Sequence, residues 1–335
     1  MSRLEKGGFP LGGINLALCE NPLPPLEEAI EAAKEELHLC NHYTEPHSQR
    51  LLEKISEYVG VPTNNIHLNA GSEIILRQLF SLYGQKVHLI SPTYYLFEEI
   101  AKDKSHTALE EKTNFQFDIT KLMIPKETTL AVLVNPNNPT GGIFDIKNNL
   151  GLIENHPKTV FLIDEAFIEF GGESAASLIF DYDNVIITRT FSKAFSLAGL
   201  RTGYAIGNED VIFILNKNND AYPLGRTAEA AAMASLKNIK KIKERVALLK
   251  SLTKEFTNNL EKLGIITYPT ETYFFLIKVP KFTADEFVRL LEEKNIHARA
   301  LQQTGLENKF VRFATSTREN NRKVLDAIHE IMGRR

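Results

Sequence analysis

Short apolar runs alternate with helical patterns through the first two thirds of the chain. The runs are rich in β-branched residues and lie at residues 86–90, 130–135, 159–164, 184–190 and 202–207. Between them, residues 73–84 and 95–103 carry apolar positions at helical spacing, as in helices that pack on a sheet. This alternation predicts an α/β fold in which a mixed, mostly parallel sheet lies between helices.

The pattern changes after Pro223. Residues 226–264 form a long charged stretch with helical spacing, and Gly264 at its end suits a helix C-cap. A smaller α+β unit follows, with predicted strands at 273–279, 297–300 and 310–315, a helix at 283–295 and a last helix from about Arg318.

These changes divide the chain into three predicted parts. An N-terminal arm covers residues 1–40, a large domain residues 41–240 and a small domain residues 241–335. The arm contains a helical pattern at 24–37 and no neighbouring strand signal. We therefore expect it to pack on the small domain.

The composition is that of an ordinary globular protein. The formal net charge is -3 and 43% of the 335 residues are apolar, and no run of one charge indicates a nucleic-acid or membrane partner. The two cysteines form no CxxC and no metal-ligand cluster, which argues against a metal site and fits a reducing compartment. No apolar leader or membrane-length stretch is present, so we expect a cytoplasmic protein.

Residues 188–204 carry the most informative chemistry. A strand ends there at Ser192 and Lys193, and a glycine-bearing turn leads to Arg201. These three side chains could hold an anionic phosphate while the lysine amine forms an imine with an aldehyde. Asp164 ends another apolar strand, on the side where open α/β sheets bind ligands. Such a carboxylate needs a cationic partner, unless it is simply a helix N-cap.

Three further signals are weaker when each is taken alone. Asn138 lies in an Asn-, Pro- and Gly-rich turn and could donate its amide to a ligand oxygen, although turn chemistry alone explains that composition. Gly71 and Ser72 begin a helix whose N–H groups could seat an anion. Tyr94 could stack on an aromatic ligand or be a core aromatic.

Together, in this order, these motifs resemble the fold-type I pyridoxal-phosphate (PLP) aminotransferases, and most of all the histidinol-phosphate aminotransferase group. The resemblance runs from CENPLPP at 19–25 to FVRFATSTREN at 310–320 and includes the Ser-Lys-Ala-Phe signature at 192–195 and residues 222–236. It implies the PLP-dependent transferase fold, PLP as the cofactor, and a large domain that binds it.

The resemblance also implies individual roles. Lys193 would be the Schiff-base lysine and the base that transfers the substrate proton, and Asp164 would pair with the pyridinium nitrogen. Asn138 would bind the ring oxygen and lie beside the substrate. The cofactor phosphate would be held by Ser192, Arg201 and the Gly71–Ser72 turn, with Thr190 nearby, and Tyr94 would stack on the ring.

Further residues match the family at the edges of this site. Tyr43 matches a tyrosine that reaches the cofactor phosphate of the neighbouring subunit, which implies a homodimer with shared active sites. Arg312 matches the residue for the substrate α-carboxylate, and Arg299 the residue for a second anion such as a phosphate; taken alone, either could be an ordinary surface arginine. The implied reaction moves an amino group between glutamate or 2-oxoglutarate and a small phosphorylated keto substrate.

One position departs from the family. Phe167 stands where a tyrosine usually donates a hydrogen bond to the ring oxygen, and loss of that donor should raise the pKa of the Schiff base. The string Asp-Glu-Ala-Phe also resembles threonine-phosphate decarboxylases. A decarboxylase of O-phospho-L-threonine or O-phospho-L-serine is therefore the first alternative, and a non-catalytic PLP-fold binding protein is the second.

Overall fold

The computed structural model describes residues 12–333. The outer ends of the predicted arm and of the predicted small domain, residues 1–11 and 334–335, lie outside the described residues. The strands are β1 (Ile14–Asn15), β2 (Ile66–Asn69), β3 (Val87–Ser91), β4 (Lys104–Ala108), β5 (Leu130–Val134), β6 (Val160–Asp164), β7 (Val185–Thr190), β8 (Gly203–Ile206), β9 (Ile266–Thr267), β10 (Phe274–Lys278), β11 (Ile296–His297), β12 (Arg299–Ala300) and β13 (Val311–Ala314). The helices are α1 (Glu27–Leu37), α2 (Gln49–Val59), α3 (Ser72–Tyr83), α4 (Tyr95–Ile100), α5 (Gly151–Glu154), α6 (Glu209–Lys217), α7 (Arg226–Lys237), α8 (Ile239–Lys262), α9 (Ala284–Glu292) and α10 (Arg318–Gly333).

Seven strands form the central sheet, in the order β2-β8-β7-β6-β5-β3-β4. All neighbouring pairs are parallel except the two that β8 makes with β7 and β2. The predicted mixed, mostly parallel sheet is therefore confirmed. Each of the five predicted strands lies within one residue of its expected bounds at either end.

Both faces of this sheet are buried. Along β5, Ala131 and Leu133 belong to one apolar cluster, whereas Val132 and Val134 belong to the cluster on the opposite face. A strand alternates its side chains between faces, so a continuous apolar run such as β5 fits a sheet covered by helices on both sides. The carboxyl ends of β6 and β7, at Asp164 and Thr190, are consequently buried. They form one rim of the sheet, which lies inside the molecule.

A smaller antiparallel sheet has the order β12-β13-β10-β9. Its core includes residues of α8, α9 and α10, for example Phe256, Phe287 and Ile328. The predicted long helix at 226–264 is two helices, because Asn238 adopts a non-helical backbone conformation between α7 and α8. Gly264 adopts a φ of +77°, as a C-terminal glycine does.

The N-terminal segment contacts both units. Strand β1 pairs with β11 of the small unit, but α1 packs against α7, and its Ala29 shares a core with Ala231 and Ala232. The three-part division stays a prediction, with the difference that α1 lies against α7 instead of the small sheet. The apolar face of α1 packs against the alanine-rich face of α7.

Sequence reasoning missed strand β4 at the sheet edge. Its residues alternate between exposed and half-buried, and the string KSHTA contains no apolar run. Within residues 12–333, no helix is both long and apolar enough to cross a bilayer. The same residues contain no group of three or more potential metal-binding side chains.

Candidate active site

Lys193 follows β7 by three residues and points towards the N-terminal segment. Its Nζ donates hydrogen bonds to the backbone oxygens of Cys19, at 3.1 Å, and Leu18, at 3.4 Å. The Phe167 ring centroid lies 5.3 Å from the same nitrogen. Burial lowers the pKa of Lys193, and the charge of Arg312 lowers it further. The amine is therefore biased towards its neutral, nucleophilic form.

Asp164 lies at the carboxyl end of β6, beside Thr188 of β7 in the register of the sheet. Its Oδ1 accepts hydrogen bonds of 3.2 Å from the Thr188 hydroxyl and from the Ala166 backbone N–H. Burial raises the pKa of Asp164 to about 6. Within residues 12–333, Asp164 forms no ion pair and caps no α-helix. The N-cap alternative is thus wrong, and a buried acid remains to be explained.

The Gly71–Ser72 turn faces Arg201. Gly71 has a φ of +90°, and a Cβ at this position would lie 2.5 Å from Arg201 Nη2. The guanidinium donates to the Ala198 carbonyl and forms no ion pair within the described part of the chain. Glycine therefore leaves room for a cation beside the N-terminus of α3, which has the positive end of its helix dipole there.

Ser192 and Thr190 are linked by a 2.9 Å hydrogen bond between their hydroxyls. Both residues are buried. Strand β8 brings Gly203 against the Gly71–Ser72 turn, so closely that a Cβ on Gly203 would lie 2.2 Å from the Ser72 backbone nitrogen. The turn and the end of β7 are thereby held at the same rim.

Arg312 lies on β13 and is buried. Its Nη1 donates to Asn138 Oδ1 at 2.7 Å, its Nη2 donates to the Ala17 carbonyl, and its Nε has no partner. Only neutral acceptors therefore surround this cation within the described residues. Asn138 lies in the turn after β5 and Arg312 on β13, so the fold brings together residues that are 174 positions apart in the sequence.

Arg299 is the register partner of Arg312 on the neighbouring strand β12. Its guanidinium carbon lies 4.6 Å from the ring centroid of Tyr95. Burial lowers the pKa of Arg299, and the nearby charge of Arg312 lowers it further. Two guanidinium groups that repel each other mark a place suited to an anion.

Tyr94 packs edge-on against Tyr95, with 4.8 Å between the ring centroids, and against Phe97. Burial is the main reason that the pKa of Tyr94 is raised, and Asp164 contributes to the same shift. Tyr94 therefore lies near the buried acid and has the character of a core aromatic as well. Its predicted stacking on a cofactor stays a prediction.

Tyr43 is 78% exposed. Its ring stacks on that of Tyr222 at a centroid distance of 4.5 Å. Within residues 12–333, its hydroxyl has no hydrogen-bond partner. The predicted reach of Tyr43 into a neighbouring subunit requires such an uncovered side chain, and it stays a prediction.

Sequence reasoning gave no role to three residues of this region. The Asn21 amide donates to the Lys193 carbonyl at 3.0 Å, and the Tyr273 hydroxyl donates to the Cys19 carbonyl that also accepts from Lys193. The CENP string indicated the N-terminal segment, but a backbone carbonyl leaves no trace in sequence. Tyr273 carries no motif that could have revealed it.

Comparison with known proteins places these residues in context. Residues 12–328 match the sequence profile of a family described as aminotransferase class I and II. Histidinol-phosphate aminotransferase from Microcystis aeruginosa is 32% identical over 325 residues, which cover 96% of this chain and 93% of that protein.

Solved structures share the fold. The histidinol-phosphate aminotransferase from Clostridium acetobutylicum superposes with a TM-score of 0.86 at 26% identity, over 96% of this chain and 99% of that chain. L-threonine-O-3-phosphate decarboxylase from Porphyromonas gingivalis superposes equally well, with a TM-score of 0.86 over 96% of this chain and 100% of that chain. At 23% identity, the second similarity concerns the fold alone.

Proposed function

Because the chain belongs to the class I and II aminotransferases, we propose that it is a PLP-dependent enzyme that moves an amino group between glutamate or 2-oxoglutarate and a small phosphorylated keto substrate. A substrate like that of histidinol-phosphate aminotransferase is supported by the relative from Microcystis aeruginosa, which carries that name. A phosphorylated amine of this kind presents an anion at one end and the reacting carbon at the other.

The described residues fit the cofactor. Asp164 is buried without a cation, and the pyridinium nitrogen of PLP is a cation that would pair with it. Arg201, Ser192 and the Gly71–Ser72 turn offer a guanidinium, a hydroxyl and helix N–H groups for the phosphate. When bound, PLP supplies the electron sink for the substrate carbanion.

The chain's own residues then divide the work. Lys193 holds the cofactor and moves the proton at the substrate Cα, for which a neutral amine is required. Arg312 binds the α-carboxylate, with Asn138 fixing one side of its guanidinium. Arg299, at the adjacent strand position, binds the second anion.

One observation carries the proposal. Asp164, a buried carboxylic acid that forms no ion pair within residues 12–333, lies on the strand next to the one that leads to Lys193. A buried acid of this kind is expensive unless a ligand pairs with it. PLP pairs with such an acid through its ring nitrogen and with a lysine through its aldehyde, so both residues are explained by one ligand.

The test is to add L-glutamate to the PLP-loaded protein and to follow its absorbance spectrum. We expect conversion to pyridoxamine phosphate in the parent protein and none in Lys193→Ala, because the variant lacks the proton-transferring amine. A Lys193→Arg protein keeps a long basic side chain but has no amine that can form the imine or accept the proton, so it should also be inactive. Turnover in Lys193→Ala would sink the proposal.

A decarboxylase of O-phospho-L-threonine or O-phospho-L-serine is the second candidate. Phe167 favours it, because the aminotransferase pattern usually has tyrosine there and this ring is buried without a hydroxyl. Both phosphoamino acids would be incubated with the loaded protein while carbon dioxide is measured. Carbon dioxide release without the pyridoxamine form would replace the aminotransferase assignment.

We also propose a cytoplasmic homodimer whose active sites are completed by the partner's Tyr43. The uncovered Tyr43 ring supports the second subunit, and the two thiols without a disulfide fit a reducing compartment. For the domains we propose residues 41–240 as the cofactor-binding domain and 241–335 as the small domain, with 1–40 as an arm.

A further inference from the structure

The backbone at Leu18 and Cys19 turns two successive carbonyl groups towards one amine. Lys193 Nζ lies 3.4 Å from the first oxygen and 3.1 Å from the second. Cys19 achieves this with a φ of +52°, a left-handed conformation that is uncommon for residues other than glycine. A conformation of this kind persists only when surrounding contacts hold it.

Tyr273 provides one such contact from the small sheet. Tyr273 immediately precedes β10, and its hydroxyl donates a hydrogen bond to the Cys19 carbonyl oxygen. The residue is fully buried, and burial raises the pKa of Tyr273, so the hydroxyl keeps its proton and remains a donor. A carbonyl oxygen has two lone pairs and can accept from Tyr273 and Lys193 together.

The two carbonyl groups determine where the amine lone pair points. A neutral amine has two N–H bonds and one lone pair. If Leu18 and Cys19 accept both N–H bonds, the lone pair has a single remaining tetrahedral direction. Burial of Lys193 lowers its pKa and favours this neutral form, so the contact prepares a base with a fixed orientation.

The same hydroxyl bears on the missing one at position 167. The Phe167 ring lies 5.3 Å from Lys193 Nζ but carries no hydroxyl. The ring of Tyr273 lies 6.1 Å from that of Phe167, centroid to centroid. A phenol group is thus present beside the lysine, but it comes from the small unit and reaches the lysine through a backbone carbonyl.

We propose that Tyr273 is a positioning residue for Lys193, and that it acts through the Cys19 carbonyl to fix the direction of the amine lone pair. The inference rests on the proposed function, in which Lys193 moves the proton at the substrate Cα. Tyr273 itself need not touch the substrate.

The test compares Tyr273→Phe with Tyr268→Phe in the PLP-loaded enzyme. Tyr268 is a matched control, since it is also buried in the small unit but donates to Glu111, at 2.6 Å. We expect Tyr273→Phe to lower the rate of glutamate conversion about tenfold or more, because a misdirected base is costly. The KM for glutamate should change little, and the isotope effect with Cα-deuterated glutamate should increase. Tyr268→Phe should match the parent in all three.

A second readout uses the cofactor-free protein. Formaldehyde and cyanoborohydride methylate free amines, and peptide mass spectrometry gives the rate at Lys193. We expect severalfold faster methylation in Tyr273→Phe, because the amine is no longer held at both carbonyl groups, and the parent rate in Tyr268→Phe.

The outcomes distinguish a failure of the positioning role from a failure of the proposed function. Parent-like methylation together with a parent-like isotope effect in Tyr273→Phe would overturn the positioning role and leave the aminotransferase assignment intact. Failure of the parent protein to react with glutamate would overturn the proposed function. In that case the methylation rates alone would still decide whether Tyr273 restrains Lys193.

Discussion

Asp164 carries a large electrostatic cost within this site. The group is buried, its hydrogen-bond donors within residues 12–333 are one hydroxyl and one backbone N–H, and burial raises its pKa to about 6. In an unfolded chain the same carboxyl titrates near 3.8. Folding without a ligand therefore becomes less favourable when this group must ionise.

We predict that Asp164→Asn stabilises the cofactor-free protein above pH 6. Between pH 4 and 6 the unfolded state releases the proton that the folded state retains, so parent stability falls as the pH rises and then levels off. The pKa difference of about two units, at 1.36 kcal/mol each, sets an upper bound of about 3 kcal/mol. Asparagine avoids this loss and keeps an oxygen for the Thr188 and Ala166 donors.

Urea unfolding at pH 4 and pH 8 measures the effect. The exposed Asp183→Asn serves as the control and should show the same stability difference from the parent at both pH values. If the stability of Asp164→Asn relative to the parent is the same at pH 4 and pH 8, ionisation of the buried Asp164 does not destabilise the folded protein. The variant should also bind PLP more weakly, because asparagine cannot pair with the pyridinium.

At the scale of elements, the pairing of β12 with β13 places two arginines side by side where we propose that the substrate binds. Arg299 and Arg312 are direct register partners, so their side chains leave the same face of the small sheet. Arg312 is further fixed by Asn138 and Ala17, whereas Arg299 rests on Tyr95. Arg312 is fixed by several contacts, which suits an anion that both substrates share. Arg299 contacts an aromatic ring, which suits an anion that differs between the substrates.

We predict that the two arginines separate in steady-state kinetics. Arg312→Gln should impair the reaction with glutamate and with the phosphorylated acceptor, because both carry an α-carboxylate or its equivalent. Arg299→Gln should raise the KM for the phosphorylated acceptor about tenfold or more while the glutamate half-reaction changes less, because a phosphate carries more charge than the side-chain carboxylate of glutamate and loses more when the guanidinium is removed. Equal losses with both substrates in Arg299→Gln would contradict this division.

The sequence predicted most strands of the large sheet, but it did not predict edge strand β4 or the break between α7 and α8. Strands β5, β6 and β7 are buried on both faces; β5 is apolar throughout, and β6 and β7 each begin with an apolar run before their polar carboxyl ends. Strand β4 at the edge has one exposed face and one half-buried face, and it contains no such run. The break at Asn238 was missed because the helical pattern continues across it and only the backbone turns.

For the site, strand ends and glycine turns carried the signal. Lys193, Asp164 and the Gly71–Ser72 turn were predictable because each ends or follows a strand at the same edge of the sheet. The bonds from Tyr273 and Lys193 to Cys19 were not, since they join positions 254 and 174 residues apart and one partner is a backbone atom. The roles inferred from family resemblance stay predictions until the variants are measured.

At the scale of the whole molecule, the N-terminal segment joins the two units across the site. Strand β1 extends the small unit at β11, and the Ala314 backbone N–H donates to the Leu16 carbonyl. A few residues on, Asn21 donates to the Lys193 carbonyl. A movement of the small unit would therefore be transmitted to the backbone that carries the lysine.

The exposed Tyr43 ring is a feature that a single chain does not explain. An aromatic side chain that is 78% exposed and lies against another half-exposed tyrosine, Tyr222, forms a surface suited to a second subunit. If the partner's cofactor phosphate lies there, each active site draws Lys193 from one chain and Tyr43 from the other. Loss of the two residues would then be complementary.

We predict that hybrid dimers of Lys193→Ala and Tyr43→Ala subunits regain activity. In the hybrid, the site built on the Tyr43→Ala chain keeps its own Lys193 and receives an intact tyrosine from its partner, so one site in two is complete. Co-expression with two different affinity tags isolates the hybrid, and glutamate conversion is measured against both parental homodimers. The matched control pairs Lys193→Ala with Asp164→Ala: both residues belong to the same site of one chain, so neither site of that hybrid is complete. Recovery in the first hybrid and not in the second requires sites shared between subunits, whereas inactivity of both would place Tyr43 outside the partner's site.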